Sequence, residues 1–147
     1  MKGFVESRIY NAVRGLLTGR VNEILGELEF PIPPIEFGDT GSGFAVTPVI
    51  TLSGCERTEK ERVIQLDAYS LTVTFNQKEE HEDGQLYSYA YSDAFAKALG
   101  EDITLGGVID RAVITGKKYI PPKMPHCGEG WGVVIGLRIS IENQRPC

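Results

Sequence analysis

The chain has few of the residues that mark covalent chemistry or a membrane span. Its cysteines are Cys55, Cys127 and Cys147, an odd number with no Cys-x-x-Cys spacing. A secreted disulfide framework would show an even, patterned set, so free thiols in a reducing cytosol are expected. Histidine is scarcer still, with His81 and His126 alone. Zinc needs four ligands in recognisable pairs, and the lone His126-Cys127 pairing does not supply them, so no metal and no cofactor are expected. No excess of basic charge exists either: 15 Lys and Arg stand against 20 Asp and Glu, a net charge of -5. A duplex-binding domain gains affinity by neutralising phosphates, and this balance argues against that role. No stretch approaches the roughly 20 apolar residues that span a bilayer. Glu6, Arg8 and Asn11 interrupt the opening MKGFVESRIYNAV, which is not expected to act as a signal peptide. No membrane partner and synthesis in the cytoplasm follow as expectations.

What is present is ordinary globular composition over 147 residues, 41% hydrophobic and 24% charged, the size of one domain spanning 1–147. Val5, Ile9, Val13, Leu16 and Leu17 share a helical face. They predict a helix over about 4–17, extendable through Val21, Ile24, Leu25 and Leu28 against the weakening effect of Gly15, Gly19 and Gly26. The Pro- and Gly-rich segment 30–43 reads as an extended loop, because proline lacks a donor and blocks a helix. Residues 47–57 read as a strand and 58–61 as a charged turn. Over 62–76 the apolar set changes parity, from Ile64, Leu66 and Ala68 to Tyr69, Leu71, Val73 and Phe75. A β-bulge at Ala68–Tyr69 would do this.

An acidic surface loop is expected over 76–85. Leu86, Ala90, Ala94 and Ala98, with Phe95 and Leu99 beside them, then predict a helix over about 85–99. A turn at 105–107 leads to a strand over 108–115, with 116–118 a bulge or turn within a longer ribbon. The last strand is marked by strict alternation of Trp131, Val133, Ile135, Leu137, Ile139 and Ile141 with small or polar residues. The order α-β-β-α-β-β predicts an α+β two-layer sandwich: a mainly antiparallel four-stranded sheet with two helices on one face.

The one catalytic lure is Asp39-Thr40-Gly41-Ser42, the tetrapeptide type of aspartic proteases, with Val133-Val134-Ile135-Gly136 downstream. That chemistry needs two carboxylates sharing a proton, supplied in a short chain by dimerisation. Here the motif follows a proline-rich loop rather than a strand, and its would-be partner element lies inside a long regular strand. A turn built of Gly, Asp and Ser accounts for it better, and no enzymatic activity is expected. Residues 38–43 are not a phosphate loop, since no Gly-Lys-Ser/Thr opens a helix there, and Gly116-Lys117-Lys118 lacks both the upstream glycine and the hydroxyl.

The second half carries a resemblance. Tyr87-Ser88-Tyr89-Ala90-Tyr91 and Asp93-Ala94 lie on a helix, Leu105-Gly106-Gly107 turns, a strand runs to Tyr119, and Trp131 opens a long terminal strand. This sequence of features resembles phage tail-terminator proteins, the lambda-like minor tail group. The first half agrees in layout, with an N-terminal helix and the Pro-containing strand at Thr47-Pro48-Val49-Ile50. The resemblance implies a virion structural protein assembled in the bacterial host cytoplasm. It implies a six-membered ring that caps the tail-tube protein, stops its growth, and docks the head-completion or connector protein. DNA would pass through the lumen without sequence-specific binding, and the acidic stretch 79–83 could face that lumen. A neighbouring neck component and a generic protein-binding domain are the alternative readings. A ring needs a head-to-tail interface, which segments 30–46, 53–62 and 117–130 could supply. Aromatic side chains fit such contacts, and the candidate subunit-interface residues are Tyr87, Tyr89, Tyr91, Lys117, Lys118 and Trp131.

Overall fold

The computed structural model describes residues 5–28, 32–37, 46–59, 64–77, 82–122 and 130–144. The N-terminal helical segment opens with α1 (Val5–Leu16), passes through a π-helical turn (Leu17–Val21) and ends as α2 (Asn22–Gly26). The predicted extension is therefore present, with a change of geometry in its middle. The cause is the spacing of the apolar residues. Ile9, Val13, Leu17 and Val21 recur every four residues and are all fully buried. In a straight α-helix such a stripe drifts by about 40° per step. A π turn winds more residues per turn and returns the stripe to the core before Ile24 and Leu25 complete it.

Strands β1 (Val49–Glu59), β2 (Ile64–Asn76), β3 (Arg111–Ile120) and β4 (Gly132–Gln144) form one sheet in the order β1-β2-β4-β3, with every neighbouring pair antiparallel. With α3 (Gly84–Glu101) between β2 and β3, the order is α-β-β-α-β-β and the fold is α+β, as the patterning predicts. The central pair β2/β4 runs unbroken from Ile64↔Gln144 to Asn76↔Gly132. No bulge occurs at Ala68–Tyr69, contrary to the expectation from parity. The bulges lie in the two edge strands instead: between Leu52 and Gly54 in β1, and between Ile114 and Gly116 in β3.

Two features of β2 explain the misreading. Asp67 occupies a core-facing position beside Tyr69, is 1% exposed, and pairs with Arg57 at 3.2 Å. A carboxylate there hides the true alternation, while Leu66 and Ala68 sit on the opposite face. In β1 the extra residue is Ser53, whose hydroxyl donates to the Ser70 carbonyl at 3.2 Å. The bulge moves the helix-facing positions from Ile50 and Leu52 to Cys55 and Arg57. In β3 the extra residue is Thr115. A Cβ at Gly136 would lie 3.0 Å from its Oγ1. The ribbon at 116–118 is thus a continuing strand after a bulge, and β3 starts at Arg111 rather than Val108.

The helix layer covers one face of the sheet. Tyr69, Leu71, Val73 and Phe75 of β2 and Val133, Ile135, Leu137, Ile139 and Ile141 of β4 point into it, all buried. The buried stripe of α3 includes Tyr87, Tyr91, Ala94, Phe95, Ala98 and Leu99. Leu86, expected at the start of the core stripe, is instead 54% exposed. Gln77, expected in a surface loop, is buried. Its Nε2 donates to the Gly84 carbonyl at 2.7 Å and to Ser88 Oγ at 3.1 Å, tying the end of β2 to the start of α3.

After α3 the chain turns through Leu105, Gly106 and Gly107, all at positive φ (50°, 72° and 87°), where two glycines relieve the strain a side chain would bring. Asp102 holds this turn, accepting from Thr104 N at 3.2 Å, Thr104 Oγ1 at 2.8 Å and Gly106 N at 2.7 Å. Those donors, Thr104 foremost, hold its carboxyl below the usual aspartate range. Among the described residues, no helix is long and apolar enough to cross a membrane.

Candidate interaction surfaces

The Pro-rich segment is the first element that the helices position. Asn22 grips Ile35 with both ends of its amide: Nδ2 donates to the Ile35 carbonyl and Oδ1 accepts from the Ile35 N–H, each at 2.8 Å. Tyr91 Oη donates to the Pro33 carbonyl at 2.7 Å. The Arg14 guanidinium stacks 4.6 Å over the Phe37 ring. Backbone bonds Glu36 N to Val46 O (3.0 Å) and Val46 N to Pro34 O (2.8 Å) pair residues 34–36 with Val46. Asp39 and the rest of segment 38–45 lie outside the described residues, as do His81, His126, Cys127 and Cys147. Among the described residues, no group of three His, Cys, Asp or Glu could hold a metal ion.

The six candidate interface residues do not form one surface. Tyr91 is wholly buried and stacks on Phe75, with ring centroids 5.2 Å apart and planes 4° from parallel. Burial also pushes its phenol well above the usual tyrosine range. Tyr87 is buried beside it. These two are corrected to core residues: alternation along a helix sends neighbours to different faces, and this helix lays its broad face on the sheet. Tyr89 is the exposed member, at 38%. It packs edge-on against Tyr119 (4.9 Å, 81°) and accepts from Gln85 Nε2 at 2.7 Å. Trp131 is half-buried, and its ring would lie 3.2 Å from a side chain at Gly84, so it closes the α3 start rather than standing free. Lys117 and Lys118 are exposed on β3, an edge strand. Of the expected interface segments 53–62 and 117–130, residues 53–59 belong to β1 and 117–120 to β3, the two edge strands.

A surface that the sequence reading did not single out lies between α2 and α3. It is a groove of about 420 Å³ whose lining includes Ile24, Leu28, Leu86, Tyr89 and Ala90, with Asp93 and Lys97 among the same walls. Leu28, Leu86 and Tyr89 are three of the seven large hydrophobic side chains exposed among the described residues. Their convergence in one groove is what singles it out, since isolated exposed hydrophobics are normal. The signal was available in the sequence: Leu86, Tyr89, Ala90, Asp93 and Lys97 follow i, i+3, i+4, i+7, i+11 spacing. The core stripe expected at Leu86, Ala90, Ala94 and Ala98 shares Leu86, Ala90 and Ala94 with this lining.

Arg20 clips the helices together near this groove. Its Nε and Nη2 donate to the two Glu101 oxygens at 2.7 and 3.0 Å, and Nη1 reaches Glu23 at 3.3 Å and Glu27 at 3.7 Å. The Glu101 hydrogen bonds raise the Arg20 pKa further above its ordinary value, and Arg20 in turn holds the Glu101 carboxyl below its own.

Compared with protein-family models and with curated proteins, the chain matches none.

Among the described residues, no helix covers the far face of the sheet. That face presents Thr51, Ser70, Thr72, Thr74 and Ser140, with Arg138 reaching Glu56 at 3.6 Å. Beneath the opposite, helix-covered face, burial pushes the Tyr69 phenol up to about 12, with Cys55 and Glu6 adding to the effect. What these surfaces offer chemically is contact: apolar floors, hydroxyl-rich strands and paired charges.

Proposed function

We propose that the protein is a phage tail terminator: it caps the tail tube as a ring of identical subunits, ends tube polymerisation and forms the surface on which the head docks. The observation that carries this reading is the layout on which the resemblance rests. A helix bearing the Tyr87–Tyr91 stretch is followed by the Leu105-Gly106-Gly107 turn, an edge strand to Ile120, and a long strand led by Trp131. Consistent with assembly rather than catalysis, its exposed apolar side chains are spread over several faces: Leu86 in the α2/α3 groove, Val113 on β3, Val49 on β1. Two unlike surfaces on one subunit are what a closed cyclic ring requires.

In this reading the partners are other copies of the chain, the tube protein on one side and the head-completion protein on the other. DNA crosses the lumen without sequence-specific contacts, and the protein resides in the virion tail after assembly in the host cytoplasm. The test is light scattering and electron microscopy of the purified protein with polymerising tube protein. Tubes capped at fixed length by a ring of about six subunits support the reading. Tubes that elongate unchecked sink it. Peptide cleavage at acidic pH that Asp39→Asn abolishes would replace it with the protease.

A further inference from the structure

The buried stripe of α3 faces the sheet, and its opposite, outward face carries Leu86, Tyr89, Ala90, Asp93 and Lys97. All five line the groove against α2. Leu86 is the most exposed large hydrophobic side chain among the described residues. Asp93 and Lys97 balance each other in charge, so the lining selects neither a cation nor an anion. It fits an apolar occupant with polar groups of both signs at its ends.

Two properties of this stripe match it to a second copy of itself. The first is spacing. Leu86, Ala90, Asp93 and Lys97 are separated by four, three and four residues, a pattern that reads the same in reverse. Laid antiparallel about a two-fold axis between Ala90 and Asp93, two such stripes set Leu86 opposite Lys97 and Ala90 opposite Asp93. The small Ala90 lets the helices approach closely. The second property is charge. Exposed Glu82 and Asp83 stand one turn before Leu86. In the antiparallel pair, Lys97 of each copy lays its stem along the other's Leu86 and reaches those two carboxylates. The Tyr89 hydroxyl accepts from Gln85 and keeps its proton for the other copy's Asp93. Within one copy neither Asp93 nor Lys97 is in an ion pair with a described residue; Lys97 only adds to the field on Glu101, which Arg20 holds. A parallel pair would set Asp93 against Asp93 and Lys97 against Lys97, and would align the helix dipoles unfavourably.

We infer that the α2/α3 groove is a self-association site: α3 of a second copy packs antiparallel on it, and each copy's Leu86 and Tyr89 fill the other's groove. An 18-residue helix is about 27 Å long. Contact of that length across two helices covers about 500 Å² per copy, the low end for a specific interface. The dimer therefore forms reversibly as concentration rises. It closes at two copies, so it is separate from the head-to-tail contacts of a ring and does not rest on that reading.

The experiment is sedimentation of the full chain over a range of concentrations, with Cys55, Cys127 and Cys147 replaced by serine. A monomer–dimer equilibrium is expected. Leu86→Glu raises the dissociation constant about tenfold or more, and Lys97→Glu raises it about tenfold at low salt. Adding Glu82→Lys and Asp83→Lys to the Lys97→Glu chain restores it, a rescue that an effect confined to one copy would not give. All four side chains are exposed, and circular dichroism checks that each variant folds. Orientation is read by oxidising Leu86→Cys and Lys97→Cys chains, alone and mixed. Like positions lie about 16 Å apart along an antiparallel pair, so a disulfide-linked dimer forms in the mixture and little forms in either chain alone. A monomer at every concentration, a dimer indifferent to Leu86→Glu and Lys97→Glu, or like-with-like linkage overturns the inference. Tube capping is read separately. Capping by a chain that is monomeric on its own removes this contact and leaves the terminator reading, and a dimer without capping does the reverse.

Discussion

Asn22 and Ile35 are joined by two hydrogen bonds of 2.8 Å, the amide of one side chain closing on the backbone of a residue 13 positions away. Ile35 is 1% exposed, so its backbone N–H and carbonyl have no easy recourse to water. Asn22→Ala removes both partners at once. Leaving buried backbone groups unpaired costs about 1–3 kcal/mol each, so a loss of roughly 2–6 kcal/mol in urea unfolding is expected. Asn22→Asp keeps the acceptor for the N–H but sets a carboxylate against the carbonyl, and is expected to be no better. A change below about 0.5 kcal/mol in Asn22→Ala would mean the Pro-rich segment is not held by this clamp.

Tyr91 and Tyr89 of α3 are expected to respond very differently to substitution. Tyr91→Phe keeps the stack on Phe75 but leaves the buried Pro33 carbonyl without its donor, for about 1–2 kcal/mol. Tyr91→Ala opens a cavity as well and is expected to cost about 3–5 kcal/mol. Tyr89→Ala, at an exposed position, loses only an edge contact, for about 1 kcal/mol or less. Thermal unfolding of the three variants orders them directly. Equal effects at Tyr89 and Tyr91 would contradict the placement of α3.

How far the sequence carried the fold follows from these same residues. The strict alternation over Val133–Ile141 and the four-residue spacing of Ile9, Val13, Leu17 and Val21 set strand and helix, because each repeats one period on one buried face. The β1 bulge escaped, and the β3 bulge lies just before the 116–118 expected for it, because an edge strand is half exposed. Ser53 and Thr115 are polar and each is followed by a glycine, so an inserted position leaves no gap in an apolar pattern. The reverse error arose at Asp67, where a buried carboxylate, paired with an exposed Arg57, occupies an apolar position. The groove was missed for a related reason. Leu86 and Ala90 have helical spacing, but periodicity marks an apolar stripe without saying whether anything covers it.

Alkaline pH is expected to destabilise the protein through its buried phenols. Burial raises the pKa of Tyr69 from 10.0 to about 12 and that of Tyr91 still higher. A group with a raised folded pKa binds its proton more tightly when folded. Its contribution is complete below the unfolded value near 10 and is lost as pH rises through the folded one. Stability should therefore fall from about pH 10 upward. Absorbance of tyrosinate should show Tyr91 ionising only with unfolding, and Tyr91→Phe should remove the late step. On the acid side Glu101 has the opposite sign. Its lowered pKa gives a contribution present above the usual glutamate range and lost as pH falls through the folded value. Because that pair is exposed, raising the salt should shrink the acid-side effect.

Two glycines give opposite expectations on substitution by alanine. At Gly19, within the π-helical turn, a Cβ would meet nothing within 4 Å and the φ is not left-handed. Alanine there narrows the unfolded ensemble and favours helical geometry, so a gain of about 0.5–1 kcal/mol is expected. At Gly132, the first residue of β4, a Cβ would lie 2.8 Å from Asn76 Oδ1 and 3.1 Å from the Phe75 carbonyl oxygen. The asparagine can swing away, but Phe75 is buried in the paired strand and its backbone cannot. Gly132→Ala should lose about 1–3 kcal/mol by overpacking. Urea titration of the pair reads both signs in one experiment. A loss at Gly19 would mean that the π turn needs a bare backbone there, and neutrality at Gly132 would mean that β2 and β4 can part at that end without penalty.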